Sequence, residues 1–168
     1  MKPILKYSLL ASFIVIAIKL LVYFTHSQFS QFGIFSGLIS LALLVIPLVL
    51  AIKDKKNEQG GFITLKEIMK VGLGISVITG VIVCVFTYLY FQFLDHETLS
   101  QLISQTEDFM KKENKLQSEI DVQIIALKEF YAPFKQATGT LTGILISGLI
   151  LSFISSTFLV KNPPASEN

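Results

Sequence analysis

Three long stretches without a formal charge constrain this chain more than any other feature. No Asp, Glu, Lys or Arg occurs from Leu20 to Ile52, from Val71 to Leu94 or from Gln136 to Val160. A helix of about 20 apolar residues is long enough to cross the hydrocarbon core of a bilayer. Only 15% of the residues are charged, whereas about 25% is typical of soluble domains. The sequence therefore predicts an all-α integral membrane protein.

Four membrane spans account for these stretches and for the apolar N-terminal region. The stretch from Leu20 to Ile52 is too long for one span, and the polar residues 25–31 divide it. The N-terminal region also has the composition of a signal peptide, but no small-residue cleavage site follows it, so we interpret it as the first span. The predicted spans are residues 7–25, 33–52, 68–94 and 136–160. Pro47 lies inside the second of them and predicts a kink.

The connector between the second and third spans, residues 53–67, predicts the orientation. It is rich in lysine, and lysine-rich short loops remain on the cytoplasmic side of a membrane. With the connector inside, both termini are also cytoplasmic, and the segment between the third and fourth spans is outside. The last residues, 162–168, are expected to be disordered.

The connector also contains a helix start. Residues 57–61 are polar and glycine-rich, which predicts a turn. Thr64 and Glu67 then have the spacing of a capping box, in which each side chain binds the backbone amide of the other residue. Ile63 and Ile68 occupy the two positions of a hydrophobic staple around this cap. These four residues predict that the third helix starts at Thr64.

The decapeptide from Gln59 to Ile68 carries a family resemblance. It is similar to the glycine-glycine-phenylalanine-(Ile/Leu)-threonine signature of domain of unknown function 4199, a bacterial family found mostly in Bacteroidetes. The matching residues are Gly60, Gly61, Phe62 and Thr64, and Leu65 stands where the family usually has Phe. The resemblance implies four spans in a bacterial inner membrane, and it implies no activity and no cofactor.

Small residues recur at every fourth position in two of the spans. Such stripes let the backbones of two helices approach closely. On the third span the stripe is Gly72, Ser76, Gly80 and Cys84; on the fourth it is Gly139, Gly143 and Ser147. Whether the fourth span packs on the third span or on another molecule is left open by the sequence.

The segment between the third and fourth spans predicts two amphipathic helices, residues 97–113 and 119–131. Apolar residues recur in both at helical spacing, and a polar turn near Asn114 separates them. Ser118 and Asp121 suggest the cap of the second helix. The pair could project as a hairpin or lie on the outer membrane surface, since both arrangements bury the same apolar stripes.

Three lysines are candidate contacts to anionic lipid headgroups. Lys19 lies inside the first span, and Lys66 and Lys70 lie one turn apart at the start of the third helix. The simpler interpretation is that Lys19 extends its ammonium group to the interface and that Lys66 and Lys70 anchor the helix among headgroups.

The sequence contains no pattern that predicts catalysis. His26 and His96 are the only histidines and lie in different loops, and Gly60-Gly61 lacks the spacing of a phosphate-binding loop. We therefore expect neither an enzyme nor a cofactor, and we expect no nucleic acid among its partners. The expected partners are the lipid bilayer and a membrane protein or a second copy of the chain.

Two functional hypotheses follow. The first is a structural or accessory interaction protein of the bacterial inner membrane, in which the small-residue stripes and the amphipathic segment bind a partner. The second is a component that handles or transports lipids, for example polyprenyl-linked sugars, through the cytoplasmic lysines.

Overall fold

The computed structural model describes residues 2–95 and 97–162, and these residues form helices. The helices are α1 (Lys2–Phe24), α2 (Gln31–Glu58), α3 (Leu65–Leu89), α4 (Glu97–Lys112), α5 (Gln117–Phe130) and α6 (Pro133–Leu159). Four of them, α1, α2, α6 and α3 with its extension to Leu94, are long and apolar enough to cross a membrane. The predicted all-α fold with four membrane spans is confirmed, and the chain is a multi-pass membrane protein.

Several helix ends differ from the sequence-based boundaries, among them the end of α2 and the end of the third span. Helix α2 continues to Glu58, so the first part of the connector is helical rather than a loop. At the end of the third span, Tyr90–Leu94 form a π-helical segment that the amide of Asp95 closes by donating to the carbonyl oxygen of Tyr90 at 3.0 Å. Pro47 is buried inside α2, where its kink stays a prediction.

The chain divides into two compact units. The first contains residues up to Val83 and from Leu141 onward, and the second contains Cys84–Thr140. Residues 163–168 of the predicted disordered tail lie outside the described part of the chain.

In the first unit, α3 and α6 pack through reciprocal glycine–serine contacts. A methyl group built on Gly72 would overlap the hydroxyl of Ser152, and one built on Gly148 would overlap the hydroxyl of Ser76. Each serine donates its hydroxyl within its own helix, Ser76 to the carbonyl oxygen of Gly72 at 2.8 Å and Ser152 to that of Gly148 at 2.6 Å. The hydroxyls are therefore satisfied, and the two backbones meet closely at both pairs.

Helix α1 joins this core through buried hydroxyl groups. The Thr79 hydroxyl of α3 donates to the carbonyl oxygen of Ser8 at 3.3 Å. Ser8 itself donates to Ile4 at 2.8 Å, one turn earlier in α1. By contrast, large apolar side chains such as Phe13, Ile34 and Phe158 point outward and are mostly exposed, as suits residues that face lipid.

The second unit contains the amphipathic pair α4 and α5. Asn114, with a φ of 54°, makes the turn between them, close to its predicted position. The predicted Ser118–Asp121 cap is wrong, because α5 begins at Gln117 and places Ser118 inside its first turn. The carboxylate of Glu119 instead accepts from the amide of Leu116 at 3.2 Å.

Gly148→Ala tests the close packing of α3 and α6. The added methyl group lies 2.6 Å from the Ser76 Cβ atom, and overpacking of this kind costs about 1–3 kcal/mol of unfolding free energy. Unfolding in a detergent titration, followed by circular dichroism, measures the loss.

The matched control is Gly139→Ala on the same helix, where a methyl group meets nothing within 4 Å. Alanine there should leave stability unchanged or raise it by up to about 1 kcal/mol, the helix preference over glycine. Equal effects at the two glycines would contradict the assigned interface.

Candidate functional site at the connector end

The connector end is the place in the first unit where the start of α1, the end of α2, the start of α3 and the end of α6 meet. We define it by residues 6–7, 53–70 and 159–161. It holds the family signature predicted from the sequence, the ion pair between Lys55 and Glu58, and side-chain hydrogen bonds that connect the end of α2 with α1, α3 and α6.

Two glycines reverse the chain between α2 and α3. Gly60 has a φ of 71° and Gly61 a φ of 91°, a region in which residues with a Cβ atom are strained. The amide of Gly61 donates to the carbonyl oxygen of Lys56 at 2.9 Å and so closes the end of α2. The signature requires glycine at these positions for the turn itself.

The predicted capping box at the start of α3 is confirmed. The carboxylate of Glu67 accepts from the Thr64 amide at 2.9 Å, and the Thr64 hydroxyl accepts from the Glu67 amide at 3.4 Å. The Gln59 side-chain amide also donates to the Glu67 carboxylate. This carboxylate therefore links the end of α2 to the start of α3.

Phe62 and Ile63 bind the chain that follows α6. Ile63 and Lys161 exchange two backbone hydrogen bonds, at 2.9 and 3.0 Å. The ammonium group of Lys161 lies over the Phe62 ring, at 5.2 Å from its centroid. The side chain of Ile63 is buried in the apolar cluster that also contains Ile52 and Ile68. The middle of the signature thus joins α3 to the end of α6.

Two further hydrogen bonds tie α2 to its neighbours. The Tyr7 hydroxyl of α1 donates to the Asp54 carboxylate at 2.6 Å. The Lys56 ammonium donates to the carbonyl oxygen of Leu159 at 2.9 Å, at the end of α6, where helix carbonyls lack intrahelical partners. All four spans are therefore connected at this end.

Charge is distributed unevenly at the connector end. The three carboxylates are engaged with groups of the chain: Asp54 with Tyr7, Glu58 with Lys55 at 3.2 Å, and Glu67 with Thr64. The exposed lysines form what we call the lysine rim: Lys6, Lys53, Lys66, Lys70 and Lys161. The arrangement can attract anions.

The predicted stripe on the third span lies in part on the α3–α6 interface. Gly72, Ser76 and Gly80 are buried, and a methyl group on Gly80 would contact Leu141 of α6 at 2.7 Å. Cys84 is a half-buried free thiol in the second unit. The fourth-span stripe is different, because methyl groups on Gly139 and Gly143 meet nothing within 4 Å among the described residues, and Ser147 is half-buried. These glycines do not make the contact with α3, so their packing on another molecule stays a prediction.

The residues of α6 that do contact α3 had a signal in the sequence. Gly148 and Ser152, the two shown in contact with α3, are four residues apart and buried, and the buried Ser156 continues the same spacing. No sequence signal predicted the hydrogen bond between Tyr7 and Asp54 or the backbone pairing of Ile63 with Lys161, because these contacts join residues far apart in the chain.

No metal centre is found in the described parts of the chain. No group of three or more His, Cys, Asp or Glu residues is placed to hold a metal ion there, and His96 lies outside the described residues. A cavity of about 20 Å³ lies between α2, α3 and α6 and is lined mainly by apolar side chains, with Ser76 and Thr79. It has room for about one water molecule. Lys19 is half-buried in α1, away from the connector end.

A second cluster of interest lies where α3 and α6 meet the amphipathic helices, inside the second unit. Asp95 is buried and accepts from the Thr98 amide at 3.2 Å, at the start of α4. The rings of Phe91 and Tyr131 lie 6.1 Å apart and pack edge to face. Burial, and then the nearby Asp95 carboxylate, raise the pKa of Tyr131, which keeps its phenol neutral. This cluster holds α5 to the end of the third span.

Comparisons with known proteins identify a family and no activity. A family model described as "Protein of unknown function (DUF4199)" matches residues 6–161. No curated protein and no solved structure matches the chain significantly.

Gly61→Ala tests the role of the signature glycines. Forcing a residue with a Cβ atom into this left-handed conformation should cost about 1–2 kcal/mol of unfolding free energy. The control is Gly37→Ala inside α2, where a methyl group meets nothing within 4 Å. Thermal unfolding of both variants in detergent measures the difference, and an unchanged midpoint for Gly61→Ala would refute the assigned turn.

Proposed function

Because the chain belongs to the DUF4199 family of proteins of unknown function, no activity comes with that membership, and we propose that it is an accessory interaction protein that binds another membrane helix. In this proposal it lies in the bacterial inner membrane, with the lysine rim and both termini in the cytoplasm. It has no enzymatic activity of its own and binds no nucleic acid.

The open glycine face of α6 carries this proposal. Helix α6 has small residues on two faces, and the face of Gly148 is already filled by Ser76 of α3. Gly139 and Gly143 are exposed on a different face, together with Ile146 and Ile150, which continue it at helical spacing. Two glycines four residues apart, flanked by large apolar side chains, suit close packing of a second helix.

The Gly143→Leu variant distinguishes an effect on partner binding from an effect on folding. A leucine there fills space that is open within the chain, so the amount and thermal stability of the protein should be unchanged. It should block a second helix, so a partner that co-purifies in mild detergent from the native cell should be lost. Mass spectrometry of the purified material identifies the partner or a second copy of this chain.

Phe158→Leu is the control, since Phe158 is 82% exposed and lies on another face of α6. This variant should retain the partner. A protein that purifies alone from its native membrane, or a Gly143→Leu variant that keeps its partner, would refute the proposal.

The lysine rim favours a second candidate function, the handling of lipids with anionic headgroups such as polyprenyl-linked sugar phosphates. The acids at the connector end are engaged with groups of the chain, whereas Lys66 and Lys70 are exposed on the first two turns of α3. Exposed lysines beside a span attract anionic headgroups by about 1 kcal/mol each.

Replacing Lys66 and Lys70 by Gln tests this second function. If the lysines select a lipid, the anionic lipid that co-purifies should fall several-fold, as measured by lipid mass spectrometry. Changing Lys112 and Lys115 to Gln removes the same charge from the amphipathic pair and should leave that lipid in place. The absence of a selective lipid in the unaltered protein would exclude lipid handling.

A further inference from the structure

Helix α5 has exposed apolar side chains away from the side of Ile120. Ile120 is 1% exposed, and the half-buried Ile124 and Leu127 lie on the same side of the helix. At 3.6 residues per turn, a second set lies about 80–160° around the helix from Ile120. We call this set the outer face of α5, and it consists of Val122, Ile125 and Phe130, which are 66%, 57% and 59% exposed.

The end of α5 lies beside the ends of two candidate membrane spans. The side-chain amide of Gln136, in the first turn of α6, donates to the carbonyl oxygen of Phe130 at 2.8 Å. The edge-to-face packing of Phe91 and Tyr131 ties the same point to the end of the third span. Since α6 begins at Pro133, only Tyr131 and Ala132 separate α5 from the fourth span. Phe134, at the start of α6, is 72% exposed and continues the apolar surface.

We propose that the outer face of α5 lies in the interfacial layer of the lipid bilayer, so that α5 runs along the membrane surface with α4 above it. This inference goes beyond the proposed function and does not depend on it. A helix that projected straight from the membrane would place Val122 roughly 12 Å beyond Phe130. The headgroup layer is only about 5–8 Å thick on each side, so the projecting arrangement would leave Val122 and Ile125 in water.

The charges of α5 favour lipid over a second copy of the chain. Glu119 and Glu129 lie on the same side of the helix as the outer face, and α5 carries three acids, with Asp121, against the single base Lys128. Two copies meeting face to face would bring like charges together. A bilayer of zwitterionic lipid has no such repulsion, and burial of the apolar side chains is then the driving force. Binding should therefore be insensitive to salt.

Tryptophan fluorescence in liposomes tests this arrangement directly, because the chain contains no tryptophan. We would place the full-length Val122→Trp variant in phosphatidylcholine liposomes, with and without phosphatidylcholine brominated near the top of its acyl chains. The expected result is blue-shifted emission and loss of most of the fluorescence with brominated lipid, unchanged by added salt. Ile125→Trp should behave in the same way.

Ser104→Trp is the control, since Ser104 is exposed on α4 about 200° around the helix from the half-buried Leu102. Its emission should resemble that of tryptophan in water and should not be quenched by brominated lipid. All the substituted positions are exposed, so the fold should persist, and circular dichroism checks that it does.

Either of two results would overturn the inference. Water-like emission from both Val122→Trp and Ile125→Trp would show that the pair α4–α5 projects from the membrane. Blue-shifted emission without quenching by brominated lipid would show that protein, either a second copy or a partner, covers the outer face.

Discussion

The contact between α3 and α6 supports the arrangement of the first unit. In a bilayer there is little hydrophobic driving force for helices to associate, because lipid tails are as apolar as the side chains. Association must come from close packing, and the reciprocal placement of Gly72 under Ser152 and of Gly148 under Ser76 provides it. The same closeness brings the start of α3 beside the end of α6. Without it, Ile63 and Lys161 could not exchange their two backbone hydrogen bonds.

The connector end shows why a short signature can be specific and still reveal no chemistry. Its glycines make the turn, its phenylalanine lies under a lysine, and its threonine caps α3. Each residue type is required by local structure rather than by a substrate. What this end presents outward is the lysine rim, since its carboxylates are engaged with groups of the chain.

The exposed surfaces of α5 and α6 raise the same physical question, namely whether lipid or protein covers each of them. On α6, exposed glycines leave room for a helix, and on α5, exposed apolar side chains need cover from water. A lipid tail fills the groove beside a glycine poorly, because it cannot match the shape of that groove, whereas another helix can. The interfacial layer of a bilayer covers an apolar stripe well without any matching shape. This difference leads us to assign a protein partner to α6 and lipid to α5.

The sequence alone determined the class of fold, the number of spans, the turn near Asn114 and the cap at Thr64. These follow from local rules: hydrophobic length, the conformational demands of turns, and bonds between residues three positions apart. It also indicated that the third span has a stripe of small residues. Only the tertiary structure decided that α6 meets this stripe with Gly148 and Ser152 rather than with Gly139 and Gly143. Both pairs have the same spacing, and the choice depends on how α6 is rotated about its axis. That rotation is set by contacts between residues distant in the chain, such as Ile63 with Lys161, which spacing along one helix does not encode.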